Sequence, residues 1–321
     1  MSSSCPILDS TKKIEEERMP AYELGLYYPV ELGDVFHSRY QIISKLGLGA
    51  NSTVWFCRDL QHHRYIALKI YISSLRDNQE VRVLGHLSRV KSQHPGSSLV
   101  RQMIEYIQAK NIIIAAKDES VFREWDDGET TEPSPRKVDN EYIVYRSRPF
   151  RRKKGWSGLG MPLLTDFGEA RLGEVHEGLI QPDIYRAPEV ILGMSWTAKV
   201  DRWNVGVLIW DLFEDHHLFD GRGPDGCHSD AQLLAEMVAM LGPPPVEWLR
   251  KSRRSLEYWD SSGQWNASEE IPSISLDDSE EYIEGEDKQM FMNFMRKMLR
   301  WDPEERQSAR ELLTDPWLTS P

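Results

Sequence analysis

No apolar run in this chain approaches the roughly 20 residues that a membrane span needs. The longest, such as Ile112 to Ala116, are a fraction of that length, so no transmembrane segment is expected. Cysteine is scarce: Cys5, Cys57 and Cys227 are odd in number and lack metal-ligand spacing. That implies no disulfide framework or zinc site and fits a reducing compartment. The opening "MSSSCPILDSTKK" has neither the basic start nor the apolar stretch of a signal peptide, so the chain is expected on the cytosolic side, cytoplasmic or, with the basic block at Arg146 to Lys154, nuclear. An excess of basic charge is missing too. The net charge of −12 argues against direct nucleic-acid binding and favours a basic protein as substrate or partner. What is present is a globular composition, with 40% hydrophobic residues in 321, enough for one large domain or two lobes.

The first 34 residues are polar, and "KKIEEER" reads as a short exposed helix or a disordered tail. From Tyr40 to Ile72 the pattern changes to alternating β-branched and aromatic residues. "YQIISKLG", "STVWFCRD" and "RYIALKIYI" predict three antiparallel strands separated by turns with Gly, Asn and Asp. Asn78 to Val90 places Val81, Leu84 and Leu87 on one helical face, with "HPGSS" beyond it as a stop. Residues 119–160 are polar and rich in Pro, Gly and charge, with one strand-like piece at Tyr142 to Tyr145, and read as an insertion. Beyond Asp201 the chain is mostly helical. "DRWNVGVLIWDLF" is apolar nearly all round, as a buried helix should be, and "DKQMFMNFMRKMLR" repeats Phe291, Phe294 or Met295, and Met298. "WDPEERQSARELL" offers Asp302 as a cap with Pro303 in the first turn. Two charge blocks, basic at Arg146 to Lys154 and acidic over residues 269–287 with nine carboxylates, read as solvated loops, with a localisation signal or docking site as the alternative.

Several short motifs carry chemistry. "LGLGANSTVW" puts Gly47 and Gly49 between two strands, where a backbone without side chains can approach phosphates. A lone GxG is more often a simple hairpin turn. Here Val54 follows, and "IALK" delivers Lys69 on the next strand, with Glu80 in the first turn of the following helix as its holder. Further on come "DFG" at Asp166 to Gly168, "YRAPE" at Tyr185 to Glu189, "DRWNVG" from Asp201 and "DPEERQSARELL" with Arg306.

In that order and at those spacings the motifs resemble the protein-kinase fold from about Val35 to Leu318, and most closely the fungal-type SR-protein kinases. The closer likeness rests on "GDVFHSRYQIISKLG", on Ser52 in place of a third glycine, and on "HPGSSLVRQ", "IYRAPEVILG" and "LGPPP". The resemblance implies an α+β, two-lobed protein-kinase-like fold: a small β-rich lobe over 35–103 and a partial helical lobe over 104–321, preceded by the polar extension 1–34. It implies ATP and Mg2+ as cofactors, with phosphoryl transfer to serines of basic Arg/Ser-rich proteins. It implies that Leu46, Gly47, Gly49, Val54 and Ala67 hold the nucleotide, that Lys69 and Glu80 form the phosphate-orienting pair, and that Asp166 and Asn111 are metal ligands. Glu189, Asp201 and Arg306 would be structural. No Ser or Thr lies between Phe167 and Ala187, so a loop switched by Ser/Thr phosphorylation is not available.

One part of the pattern is missing. No "HRD" or "HTD" occurs, and "EYIQAKNIIIAAKDESVF" is the nearest match to a catalytic loop. It puts Tyr106 at the catalytic Asp position and Gln108 at that of the phosphate-contacting Lys. Tyrosine, with a pKa of about 10, cannot replace the carboxylate that accepts the hydroxyl proton. Between Glu80 and Asn111 lie 30 residues. Strands of roughly 5 residues and helices of roughly 10 to 20 would need about 70 to 80 there, so roughly 40 to 50 are absent, the hinge and a long central helix among them. The chain as it stands is expected to be inactive or weakly active. The alternative is a pseudokinase that binds nucleotide or protein without transfer.

Overall fold

Alternation of apolar and polar side chains over residues 40–71 folds into one antiparallel sheet, seen in a computed structural model that describes residues 5–20, 22, 23, 25–72, 78–90, 97, 120–138, 142–148 and 167–320. The chain forms two units, Met1–Arg171 and Leu172–Pro321. The 103/104 boundary expected from sequence falls outside the described residues.

The first unit is built on strands β1 (Val35–Phe36), β2 (Tyr40–Gly49), β3 (Ser52–Asp59) and β4 (Arg64–Tyr71), hydrogen-bonded in that order. Register shifts at Ile42/Ser44 and Lys45/Gly47 are bulges in β2, which increase the local twist and curl the sheet. One face buries Ile42, Trp55, Cys57, Leu68 and Ile70 with Val30 and Tyr145. Helix α1 (Gln79–Arg89) starts at Asn78, whose side chain accepts from the Val81 amide at 3.1 Å. Its buried apolar residues are Val83 and Leu84, with Leu87 half-buried, displaced from the expected Val81 because Phe167 and Ala170 pack on that side.

Two stretches differ from expectation. Of the two expectations for "KKIEEER", a short exposed helix or a disordered tail, the structure has a short 3-10 helix at Glu15–Arg18, but one whose Glu16 is buried in an ion pair with Lys45, itself without solvent exposure. A buried lysine in β2 requires such a carboxylate. Residues 119–160, read from sequence as a polar insertion with one strand-like piece at Tyr142 to Tyr145, hold more regular structure than that among the described residues, and the strand-like piece is there as Ile143–Tyr145. They carry helix α2 (Ser120–Thr131) and the hairpin β5 (Arg136–Val138) and β6 (Ile143–Tyr145). The inner face of α2 is Phe122, Trp125, Asp126 and Glu129, and its two carboxylates bind Tyr65, Arg58, Ser134 and Arg148. A half-acidic inner face hides from a search for hydrophobic periodicity.

Asp59 ends β3 and ties the sheet's corner. Its carboxylate accepts two bonds from Arg39, at 2.8 and 2.9 Å, and the amides of Gln61 and His62. Arg39 first, with those amides, outweighs burial and holds the carboxyl well below its usual range. A carboxyl depressed on folding adds stability above its unfolded pKa of about 3.9 and loses it as pH falls toward the folded value. Asp59→Asn is therefore expected to destabilise the first unit by about 2 kcal/mol at pH 7. In denaturant titrations at falling pH, the gap between variant and wild type should close below about pH 4.

The second unit is helical: α3 (Pro188–Ile191), α4 (Lys199–Phe213), α5 (Asp230–Leu241), α6 (Val246–Leu249), α7 (Leu276–Ser279), α8 (Gly285–Met298), α9 (Ala309–Leu312) and α10 (Pro316–Thr319). Trp203, Trp210, Trp248, Trp259, Trp301 and Phe291 fill its core. Gly206 lets α4 meet α8, since a Cβ there would stand 3.1 Å from Met298 and Leu299 side-chain atoms. The single helix expected from Asp302 is two pieces. Asp302 caps a 3-10 turn, Pro303–Glu305, and Ser308 with Glu311 forms a capping box for α9. The break lets Arg306 turn inward to a buried carboxylate.

The expected all-round burial of α4 is only partly met. Val200, Trp203, Val207 and Trp210 are buried, but Val205, Leu208 and Leu212 are 45%, 45% and 74% exposed. At spacings of three and four these lie on one helical stripe with Asp201. No helix among the described residues is long and apolar enough to cross a membrane.

Candidate active site

Within the first unit, strand register gathers the residues expected to meet a nucleotide. Val54 stands opposite Lys69, and Phe56 opposite Ala67, so all four point to one face of the sheet. Gly47 is opposite Val54, and Gly49 opposite Ser52 across the Ala50–Asn51 turn. Leu46 sits at the β2 bulge beside Gly47.

Neither glycine is demanded by its own backbone, because neither has a positive φ. A Cβ at Gly47 would meet no described atom within 4 Å, and one at Gly49 only Ser52. The space over Gly47 is thus open, as a loop that admits phosphates requires. The turn is held from behind by Tyr27, whose hydroxyl donates to the carbonyls of Gly49 and Ala50 at 3.2 and 2.8 Å.

Lys69 donates to Glu80 Oε2 at 2.7 Å. The lysine side chain is 15% exposed and the carboxylate 2%, so the pair keeps the cation at the surface while its anchor is buried. Tyr71, two residues on and on the same strand face, also donates to Glu80 and lies under the Lys69 ammonium at 5.0 Å. Sequence reading missed Tyr71 and Tyr27. Alternation along β4 could have placed Tyr71 beside Lys69, whereas nothing local announces Tyr27.

The helix that carries Glu80 is tied to the segment after Asp166. Phe167 packs on Val83 and Leu84, and Gln79 Nε2 donates to the Ala170 carbonyl at 2.6 Å. Asp166, Asn111, Tyr106 and Gln108 lie outside the described residues. Among the described residues no group of three or more His, Cys, Asp or Glu could hold a metal ion.

In the second unit, Glu189 and Arg306 form a two-pronged pair at 2.7 and 2.6 Å, with 1% and 0% side-chain exposure. Arg306 also donates to the carbonyls of Lys199 and Arg300 and lies over the Trp203 ring. Asp201 is exposed in the first turn of α4, and its side chain makes no hydrogen bond to any described residue. The stretch before α3 is fixed by groups that sequence reading passed over. Gln181, at φ +68°, accepts from the Ala187 amide and donates to the Val200 carbonyl. Buried Arg186 donates to the carbonyls of Ile180 and Gln181 and to Asp183.

Residues 159–318 match the family model described as protein kinase domain. A serine/threonine protein kinase of Aspergillus fumigatus is 62% identical, over 99% of this chain and 94% of its own length. Their alignment is 370 positions long, 49 more than the 321 residues of this chain, so at least that many positions stand opposite no residue here. The serine/threonine-protein kinase SRPK of Physarum polycephalum is 25% identical over 95% of this chain and 91% of its own. The serine/threonine-protein kinase AFC3 of Arabidopsis thaliana is 24% identical over 92% and 85%. With an antiparallel sheet in one unit, a helical second unit and a relative this similar along nearly its whole length, the chain belongs to the serine/threonine protein kinase family.

Proposed function

We propose that this chain is a nucleotide-binding SR-protein-kinase-type member of the family whose catalytic-loop segment is absent, so that phosphoryl transfer to serines of Arg/Ser-rich proteins belongs to a longer product. The observation that carries the nucleotide half is the Lys69–Glu80 pair on the same sheet face as Val54 and Ala67. ATP, bound with Mg2+, supplies the phosphoryl group. Gly47 and Gly49 leave room for the phosphates, and Val54, Ala67 and Leu46 offer an apolar seat for the base. Lys69, oriented by Glu80 and Tyr71, neutralises phosphate oxygens. Asp166, and Asn111 beside it in role, would hold the metal.

The basic substrate class is supported by the net charge of −12 and by the distant likeness to the kinase named SRPK. The missing half is supported by three independent observations. The sequence has no catalytic Asp, with Tyr106 in its place. The alignment with the Aspergillus kinase leaves at least 49 positions unfilled, against roughly 40 to 50 residues judged absent from element lengths. The stripe Val205, Leu208 and Leu212 on α4 faces solvent, as a helix does when a neighbour has been removed.

Lys69→Ala is expected to weaken Mg-ATP binding by at least tenfold in calorimetry, since a phosphate loses its point charge. Unchanged affinity would sink the nucleotide reading.

A further inference from the structure

We infer that helix α2 competes with the nucleotide for its own sheet face, so that in this chain a purine base can seat only when α2 lifts. This rests on the nucleotide reading above and adds to it a gate. The face that presents Val54, Ala67 and Lys69 is the one that presents Phe56 and Tyr65, because Val54 pairs with Lys69, Phe56 with Ala67 and Arg58 with Tyr65. Helix α2 packs on part of that face, at Phe56 and Tyr65. The Phe122 ring lies 5.7 Å from Phe56 and 5.9 Å from Tyr65. Trp125 Nε1 donates to Ser44 Oγ at 3.0 Å, and the Tyr65 hydroxyl donates to Asp126 at 2.9 Å.

The overlap is direct at Leu46. This side chain, one of the three apolar groups expected to line the nucleotide, packs into the cluster of Ile43, Phe56, Tyr65, Phe122 and Trp125. A second, Ala67, is opposite Phe56 and only 3% exposed. Val54 is two residues from Phe56, about 7 Å along the strand. A purine ring set between Leu46, Val54 and Ala67 must therefore displace an aromatic cluster already there. The phosphate end is different: Lys69 and the open space over Gly47 are clear of α2's contacts. The contact is also releasable, since half of α2's inner face is held by single carboxylates rather than by apolar burial: Asp126 on Tyr65 and Arg58, Glu129 on Ser134 and Arg148.

The test measures Mg-ATP binding by calorimetry to the full chain and to its Phe122→Ala and Asp126→Asn variants. Hydrogen exchange of the amides of residues 120–131 records whether α2 is docked. Expected are faster exchange and at least tenfold tighter binding in both variants, and faster exchange of the same amides when wild type is saturated with Mg-ATP. If the variants release α2 without tightening a binding that Lys69→Ala still weakens at least tenfold, the gate is overturned and the nucleotide reading stands. If released variants bind no Mg-ATP at all, both are overturned. Should Phe122→Ala fail to fold, wild type decides alone: Mg-ATP binding with α2 fully protected overturns the gate.

Discussion

Insertion of the alignment positions that this chain lacks, taken from the Aspergillus fumigatus kinase, is expected to raise Mg-ATP-dependent phosphorylation of an Arg/Ser peptide by at least about 10³-fold. The proton acceptor alone accounts for about 10² to 10⁴ in reactions of this kind. The same insertion should stabilise the second unit. Val205, Leu208 and Leu212 expose 45%, 45% and 74% of their surface, and covering them contributes about 2–4 kcal/mol at the usual value for buried apolar area. A pair of substitutions separates this account from a general gain in folding. In the present chain Leu208→Asn and Leu212→Asn alter positions that are 45% and 74% exposed and should each shift stability by no more than about 1 kcal/mol. In the restored chain they would bury a polar amide against apolar neighbours and should each cost about 2 kcal/mol or more. A restored chain that stays inactive, with Leu212→Asn as harmless as before, would refute both the missing-segment reading and the assignment of this stripe as its seat.

How far the sequence announced this arrangement depends on how local each signal is. Strands β2 to β4 and the start of α1 follow from alternation and from Asn78 as a cap, both properties of neighbouring residues. Lys69 and Glu80 lie eleven positions apart, and their 2.7 Å contact was legible because motif order supplied what proximity did not. Helix α2 was not legible, because Asp126 and Glu129 occupy inward positions that only distant partners, Tyr65 and Arg58, Ser134 and Arg148, can satisfy. Lys45 and Glu16 are the same case, a buried strand lysine whose carboxylate arrives from 29 residues upstream. The exposed stripe of α4 is the converse. "DRWNVGVLIWDLF" has the composition of a fully enclosed helix, and composition alone does not tell that Val205, Leu208 and Leu212 stay exposed.

Arg306→Ala is expected to cost the second unit about 3–5 kcal/mol, the usual penalty for breaking a buried ion pair from one side. Three losses compound at this position. The Glu189 carboxylate, 1% exposed, keeps its charge without a counterion; the carbonyls of Lys199 and Arg300 lose their donor; and the Trp203 face loses a cation at 5.2 Å. Domains of this size are stable by only about 5–15 kcal/mol, and one whose α4 stripe is in water starts from less. Denaturant unfolding followed by the fluorescence of Trp203 and Trp210, both buried, reads the change directly. Arg306→Lys should recover part of the loss, because it keeps the charge but has no planar fork to meet both Glu189 oxygens. Replacing both partners, Arg306→Met with Glu189→Leu, should be milder than either single truncation, since no unpaired charge stays buried. If Arg306→Ala left the transition unmoved, the pair would be ornament to the fold, and the break between Glu305 and α9 would need another cause.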